Sequence, residues 1–206
     1  MKVNFFLSSQ LAVVYLRRGQ DRSLLSTETS GDSTMRKFRN FVIQSLIGVG
    51  MGLALASAAS AASMTNYLEN KIVDAFLRAQ PFTMPATVYV ALTTSASADT
   101  ACGTEVTGGS YARVAVTSSL ADWAGTQSAG STAASSGTGG TTSNNAAITF
   151  PAPTANWGTV TGFCVFDAST SGNPLFYAAL TASKTVNNGD AAPSFAIGAL
   201  TFQVDN

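Results

Sequence analysis

The chain from residue 87 onward consists of short apolar segments whose side chains alternate between two faces. In residues 87–94, Val88, Val90 and Leu92 fall on one face, as expected of a β-strand with one buried side. Turn sequences rich in Gly, Asn and Pro separate the segments, and the crossover helices that a parallel sheet needs do not follow. The pattern therefore predicts a mainly β fold, an antiparallel β-sandwich preceded by one short N-terminal α-helix. The other predicted strands lie at 110–117, 147–150, 158–167, 175–182, 184–186 and 194–204.

A short amphipathic helix is predicted before the first of these strands. Asn66 and Glu69 stand three residues apart, which is the spacing of a capping box, and Pro81 and Pro85 end the helix. The apolar stripe of the helix is expected to dock on the body of the domain, and packing against a neighbouring subunit is the alternative. The stripe consists of Leu68, Ile72, Phe76 and Ala79, with Ala75 beside it.

The sequence before residue 64 has two parts of different character. Residues 35–63 have the layout of a secretory signal peptide, with a basic start, a mostly apolar run and a small-residue cleavage site at Ala59-Ser60-Ala61. The apolar run is short and broken by glycines, so a stable membrane span is not expected. Residues 1–34 are interpreted as an unstructured upstream segment. The alternative is that translation begins at Met64 and that the natural protein lacks residues 1–63.

Residues 124–145 are rich in Gly, Ser and Thr and show no apolar period. Such a stretch is expected to form a flexible insertion at the surface of a domain that spans residues 64–206. Two interpretations are open, namely an exposed tip that contacts a host or a partner, and an insertion that the fold merely tolerates. The candidate contact residues are Gly125, Gln127, Ser136, Thr142 and Asn145.

Cys102 and Cys164 are the two cysteines of the chain. An oxidising compartment would allow them to form a disulfide, and two separate thiols are the alternative, because the sequence does not give their distance. Two thiols without a histidine or a second cysteine pair cannot complete a tetrahedral metal site. Neither a metal nor a cofactor is therefore expected.

The ionisable residues argue against several classes of function. The chain contains no histidine, which excludes Ser-His-Asp and Cys-His catalysis. Residues 64–206 carry four Lys or Arg against eight Asp or Glu, and the cations are scattered, so nucleic-acid binding is not expected. Nothing in the spacing of Glu105, Asp122 and Asp167 supports a pair of glycosidase carboxylates, and Asp167 is expected to cap a turn. No catalytic residue is predicted.

Residues 148–186 read ITFPAPTANWGTVTGFCVFDASTSGNPLFYAALTASKTV. Together with MTNYLENKIVDAFL at 64–77 and GGSYARVAV at 108–116, they resemble the phage tail fibre and minor virion structural proteins. The resemblance implies a non-enzymatic virion component whose partners are other virion subunits. It further implies a homo-oligomer and contact with a glycan or receptor on the host surface.

Two other functions stay open at the level of sequence. If the leader directs export, the chain is a secreted bacterial surface or adhesin-like module built on a phage-type domain. If exposed Trp and Tyr side chains line a groove, it is a carbohydrate-binding module, although Trp157 is expected in the core. The virion function implied by the resemblance places the chain in the virion, and the adhesin interpretation places it outside the cell or on its surface.

Overall fold

The computed structural model describes residues 53–55, 62–137 and 139–204. Within these ranges the chain forms one helix, α1, and a series of short strands, so the predicted mainly β fold is confirmed. The helix spans Asn66–Leu77, and the strands are β1 (Leu53–Ala54), β2 (Ser63–Met64), β3 (Thr87–Thr93), β4 (Val114–Thr117), β5 (Thr141–Ser143), β6 (Ile148–Thr149), β7 (Gly158–Phe166), β8 (Pro174–Val186), β9 (Pro193–Phe195) and β10 (Thr201–Gln203).

Five strands form one antiparallel sheet in the order β2-β8-β7-β3-β4. β7 lies at its centre, where Cys164 pairs with Ala91 on β3 and with Tyr177 on β8. Because successive side chains point to opposite faces of a strand, Val90 and Phe163 face the other way. Both are fully buried in the main core of the protein.

Two smaller sheets, β1-β9-β6 and β10-β5, form a second layer over the core face of the large sheet. The ring of Phe163 on β7 lies 5.5 Å from the ring of Phe195 on β9 and 6.1 Å from that of Phe202 on β10, between centroids. Edge-on ring pairs of this kind stabilise protein cores. The two layers fit the predicted sandwich, and the parallel pairing of β1 with β9 is an addition to the predicted antiparallel arrangement.

The N-cap of α1 is one residue earlier than the predicted capping box. Thr65 is the cap, and its buried hydroxyl accepts a hydrogen bond from the Leu68 amide at 3.4 Å. The same hydroxyl donates to the Pro174 carbonyl at 2.5 Å, which ties the start of the helix to β8. Asn66 is therefore the first residue of the helix, and its predicted role as the cap is wrong because Thr65 supplies the required oxygen.

Part of the predicted helix stripe docks on the sheet and part does not. Leu68 is buried, and Ile72 and Ala75 are half-buried, as expected. Phe76 and Ala79 are exposed, so the prediction is wrong for these two positions. With 3.6 residues per turn, Phe76 is rotated about 80° from Leu68 around the helix axis, whereas Ala75 is rotated by only about 20°. Ala79 lies beyond the end of α1, at a positive φ of 54°.

Several predicted strands have other boundaries in the structure because turns interrupt them. The Tyr111 amide closes a turn onto the Gly108 carbonyl, and the Ala199 amide closes another onto Ala196. The first turn makes β4 begin only at Val114, and the second separates β9 from β10. In contrast, β8 continues through a predicted break at Ser183. The segments predicted at 110–117, at 175–182 with 184–186, and at 194–204 become β4, β8, and β9 with β10, respectively.

Residues of the predicted leader contribute to the sandwich. The Leu55 amide, directly after β1, donates to the Ser194 carbonyl at 2.8 Å, and the Ala62 amide donates to the Thr201 carbonyl at 2.8 Å. Leu55 and Ala62 are 4% and 1% exposed and belong to the main core. The other features of the leader, which are the segment 1–34, the basic start and the cleavage site, lie outside the described residues.

The predicted flexible insertion contains a strand, β5, and a fully buried residue, Asn144. The Asn144 side-chain nitrogen donates to the carbonyls of Ala146 at 2.7 Å and Ala196 at 2.8 Å, and its oxygen accepts from the Leu200 amide at 2.9 Å. A polar side chain whose groups all find partners can be buried even where composition indicates a surface loop. The structure therefore places the end of the surface insertion before β5.

Candidate assembly and contact surfaces

The exposed part of the insertion, residues 126–137, is called the tip. Hydrogen bonds join its beginning to its end. The Ser136 amide donates to Thr126 Oγ1 at 2.9 Å, and Gln127 Nε2 donates to the Ala134 carbonyl at 3.0 Å. Gln127 Nε2 also contacts Ser136 Oγ at 2.9 Å. The tip is thus a cross-linked loop with a defined shape, whereas a free linker was expected from its composition.

The five predicted contact residues lie in different environments. Gln127 and Ser136 are exposed on the tip, Thr142 and Asn145 are half-buried at its base, and Gly125 is buried. Thr142 Oγ1 donates to a backbone carbonyl at 2.7 Å, and Asn145 Oδ1 accepts from a tip amide at 2.6 Å. Gly125 is therefore not on the exposed part of the loop, and Thr142 lies on β5. The contact role of all five residues stays a prediction.

The side chain of Arg113 connects its own segment with two others, one around Glu105 and one at residues 168–171. Its Nε and Nη2 donate to the two carboxylate oxygens of Glu105 at 2.9 Å and 2.8 Å. Its Nη1 donates to the carbonyls of Ala168 and Ser171, both at 2.8 Å, and the guanidinium lies 3.6 Å from the centroid of the Phe166 ring. The Arg113 side chain is only 7% exposed, so its charge and donors serve internal contacts.

The carboxylates considered as catalytic candidates have structural partners. Glu105 also accepts a hydrogen bond at 3.1 Å from the Tyr111 hydroxyl, which itself accepts from the Leu92 amide at 2.9 Å. Burial raises the pKa of Tyr111, so the hydroxyl stays a neutral donor. Asp167 accepts from the Asn173 amide at 2.7 Å, which confirms its predicted turn cap. Asp122 accepts from Ser119 Oγ at 2.7 Å, so all three carboxylates are engaged within the protein.

The two tryptophans differ in exposure. Trp157 is 5% exposed, and its Nε1 donates to the Gly109 carbonyl at 2.9 Å, so its predicted core role is confirmed. Trp123 is half-buried, and its ring lies 5.4 Å from that of Phe202, between centroids. Of the two, Trp123 alone is accessible to a partner.

The structure joins Cys102 and Cys164 by a disulfide, with 2.12 Å between the sulfur atoms and 6.1 Å between the Cα atoms. Cys164 is fully buried on β7, on the face of the large sheet that points away from the main core. Ala91 and Phe166 form a second, smaller apolar cluster with it. The bond thereby fastens the loop after β3 to the outer face of the central strand.

An exposed apolar surface runs along the outer side of α1. Val73, Phe76 and Leu77 are 48%, 77% and 81% exposed and stand at positions i, i+3 and i+4, which share one face of a helix. These three residues are called the helix stripe. Exposed apolar residues that adjoin one another on a surface are typical of interaction sites.

Comparison with known families decides what kind of protein carries these surfaces. Residues 63–203 match the family model described as Podophage GP4 fiber I protein gp80. The chain belongs to this family. The match confirms the resemblance to phage fibre proteins, and it makes the chain a phage structural fibre protein with virion components as its partners. Curated proteins show no match to the chain.

The matched range includes α1, both layers of the sandwich except β1, and the tip. All the surfaces of this fibre protein described above therefore lie within the family region. β1 and Leu55 precede it and extend the second layer by one short strand. In the described residues, no helix has the length and apolar character needed to cross a membrane.

Proposed function

We propose that the chain is a structural subunit of a phage tail fibre that works by non-covalent assembly with other virion subunits, including further copies of itself. The helix stripe supports this proposal. One side of α1 docks on the sheet while Val73, Phe76 and Leu77 face solvent on another side. Complete burial of a large apolar side chain contributes about 1.5–3 kcal/mol, so a partner that covers the stripe gains a substantial free energy.

The second part of the proposal concerns the tip. Residues 126–137 carry no charged side chain, and Ser128, Thr132 and Ser135 are exposed. The hydrogen bonds that join Thr126 to Ser136 and Gln127 to Ala134 fix the shape of the tip, which lowers the entropy lost on binding. Hydroxyl groups can donate to and accept from the hydroxyls of a glycan or the backbone of a receptor. We propose that the tip contacts such a group on the host surface.

The functional unit in this proposal is the sandwich together with β1. A functional leader would favour the secreted adhesin-like module, in which case the sandwich would act at the bacterial surface.

The location of the protein tests the assembly proposal. Antibodies against the sandwich should label tail fibres in electron micrographs of purified phage particles, and peptides of residues 63–203 should be found in those particles by mass spectrometry. Particles without the chain, together with its accumulation in the medium of uninfected cells, would support the secreted module and overturn the virion proposal.

Replacement of the tip tests the host-contact proposal separately. Residues 127–136 are replaced by a Gly-Asn turn, which leaves β5 and Asn144 in place. We expect particles that contain the fibre protein at normal copy number but adsorb to host cells at least about tenfold more slowly. Normal adsorption by such particles would show that the tip is a tolerated insertion.

A further inference from the structure

An open pocket lies between the turn that precedes β4 and the turn that follows β7. It is called the Arg113 pocket, because Arg113 lines it. Its volume is about 500 Å³, well above the volume of about 150 Å³ that holds a benzene molecule, so it has room for a six-membered sugar ring with its substituents. Gly108, Tyr111 and Ala112 also line it, and they belong to the segment 108–116 that takes part in the resemblance to fibre proteins.

Both walls of the Arg113 pocket are held to the sandwich by hydrogen bonds. In the turn before β4, the Gly109 carbonyl accepts from Trp157 Nε1 at 2.9 Å. In the turn after β7, Arg113 Nη1 donates to the Ala168 and Ser171 carbonyls, both at 2.8 Å. Because these contacts fix the walls before a ligand arrives, binding costs little conformational entropy.

The charges in the lining of the pocket cancel within the chain. Glu105 and Arg113 are the charged residues of the lining, and they form an ion pair with 2.9 Å from Nε to Oε1 and 2.8 Å from Nη2 to Oε2. Asp167 stands just before the second wall, and it accepts from the amide and the side-chain nitrogen of Asn173. Within the described residues, the lining therefore offers a charged ligand no unpaired counter-ion, and a neutral ligand is favoured.

Polar groups with free hydrogen-bonding capacity also line the pocket. Glu105 Oε2 accepts from Arg113, a carboxylate oxygen can accept a second hydrogen bond, and the Glu105 side chain is 26% exposed. Thr107, Ser169 and Thr170 are exposed, and their hydroxyls have no hydrogen-bond partner among the residues that the structure describes. A hydroxyl can donate and accept at the same time. The pocket thus combines one fixed acceptor with several groups of either kind.

Apolar side chains complete the lining, since Val106 and Ala112 belong to it. A saccharide ring carries hydroxyls that need donors and acceptors, and C–H groups that need apolar contacts. The Arg113 pocket supplies both without a net charge. An apolar side chain of a protein partner would instead leave the open oxygen of Glu105 and the free hydroxyls without hydrogen bonds, which is unfavourable.

We propose that the Arg113 pocket binds a neutral saccharide unit, with one sugar hydroxyl donating to Glu105 Oε2 and neighbouring hydroxyls bonded to Thr107 and Thr170. This inference rests on the proposed fibre function, in which the chain meets a host surface, and adds a second site to the tip. No lining residue of the pocket lies within residues 126–137. A few hydrogen bonds in an open pocket give a Kd on the order of 1 mM, and several copies in one fibre raise the avidity.

A nuclear magnetic resonance titration of the full, isotope-labelled chain tests the site. The probes are the methyl glycosides of glucose, galactose and mannose, each added to about 100 mM, well above the expected Kd. We expect the amide signals of Gly108 and of residues 169–172 to shift with at least one probe. The uronic acid that corresponds to the best probe should bind at least about threefold more weakly, because its charge finds no counter-ion in the lining.

Substitutions in the lining locate the binding site. Ala112→Phe places a ring in the pocket and should weaken binding at least about tenfold. Thr170→Val removes a hydroxyl at nearly constant shape and should weaken binding about twofold to tenfold. The matched controls are Ala115→Phe and Thr117→Val, because both residues are exposed on β4 outside the lining, and these variants should bind as the unaltered chain does.

The amide spectrum verifies that each variant is folded. If Ala112→Phe is not folded, the double variant Thr107→Val with Thr170→Val takes its place. The chain with residues 127–136 replaced by a Gly-Asn turn should keep its affinity, because the tip is not part of the pocket.

Four results would overturn the saccharide site: no shift of these amides with any of the three glycosides, unchanged binding by the lining variants, equal binding of the uronic acid, or loss of binding on replacement of the tip. Detection of the chain in particles and slower adsorption after replacement of the tip do not depend on this pocket. The proposed function would therefore survive failure of the saccharide site.

Discussion

Asn144 stabilises the second layer through hydrogen bonds to backbone groups of Ala146, Ala196 and Leu200. Asn144→Ala would leave an amide and two carbonyls without this partner in the core, and each buried group of this kind costs about 1–3 kcal/mol. Relaxation and water entry recover part of the loss. We expect the free energy of unfolding to fall by about 3 kcal/mol, as measured by urea denaturation.

The control for this substitution is Asn156→Ala. Asn156 is exposed, and its side-chain oxygen accepts one hydrogen bond, from the Asn188 amide at 2.8 Å. Water can replace that partner, so the expected loss is below about 1 kcal/mol. Equal losses for the two variants would show that burial of Asn144 contributes nothing to its effect.

Single residues also show how far sequence reasoning extends. The turn cap at Asp167 and the buried Trp157 follow from local signals, since an Asp after a strand and a Trp among apolar residues have few alternatives. The cluster around Arg113 does not follow, because its partners Glu105 and Ser171 lie 8 and 58 residues away. Contacts of that kind depend on which loops the sheet order brings together. Similarly, local composition could not show that Asn144 is buried.

At the scale of elements, the strand β1 tests how much the segment before the family region contributes. Leu55 is 4% exposed in the main core, and its amide pairs with β9. A chain that begins at Ala62 should fold, because it keeps the helix, the five-stranded sheet and every strand of the second layer except β1. It should lose at least about 2–3 kcal/mol of unfolding free energy relative to the full chain, since it lacks the buried Leu55, the half-buried Leu53 and the pairing of β1 with β9.

Leu55→Ala in the full chain separates side-chain burial from strand pairing, and it should account for most of the same loss. Urea denaturation of the three proteins measures both effects. Equal stability of the full and shortened chains would show that β1 is a peripheral addition. Failure of the shortened chain to fold would show that residues before Ala62 are required for the sandwich.

The insertion offers a second prediction at this scale. Replacing residues 127–136 by a Gly-Asn turn removes exposed polar groups, and loop-closure entropy changes slowly with length. We expect the thermal unfolding free energy to change by less than about 1 kcal/mol. Replacing residues 125–145 in the same way should cost more than about 3 kcal/mol, because β5 and Asn144 are lost. Similar results for both replacements would show that β5 adds no stability.

The elements that sequence patterns predict well are those whose periodicity is strong. Alternation located β3 and β7 within one residue, and helical spacing located α1. β5 was missed because its residues Thr141, Thr142 and Ser143 have no apolar period, and it exists through pairing with β10. The prediction is wrong for two positions of the stripe because Phe76 is rotated away from the docked face and Ala79 lies beyond the end of α1. Tertiary contacts decide both outcomes.

At the scale of the whole molecule, the sandwich buries its apolar residues between two layers that differ in character. The large sheet is continuous, whereas the second layer consists of two small sheets joined through short strands. The aromatic rings of Phe163, Phe195 and Phe202 connect the layers. Separation of the layers would break these contacts together, so we expect the protein to unfold in one cooperative step under reducing and oxidising conditions alike.

The disulfide acts on the whole molecule through its unfolded state. Cys102 and Cys164 are 62 residues apart, and closing a loop of that length raises the free energy of the unfolded chain by about 4 kcal/mol. We predict that reductant lowers the free energy of unfolding by about 4 kcal/mol, which is measured as a lower midpoint of urea denaturation. The double variant Cys102→Ala with Cys164→Ala should be insensitive to reductant.

The redox state of the compartment decides whether the disulfide forms. The bacterial cytoplasm keeps thiols reduced, so we predict that the fibre protein folds and assembles there with Cys102 and Cys164 as free thiols, and that the bond forms after the particles are released. Alkylation of infected cells before lysis, followed by mass spectrometry, should find both cysteines alkylated. The same treatment of released particles should find neither. A bond already present before lysis would indicate export of the chain to an oxidising compartment, and alkylated cysteines in released particles would show that the pairing has no part in the stability of the virion.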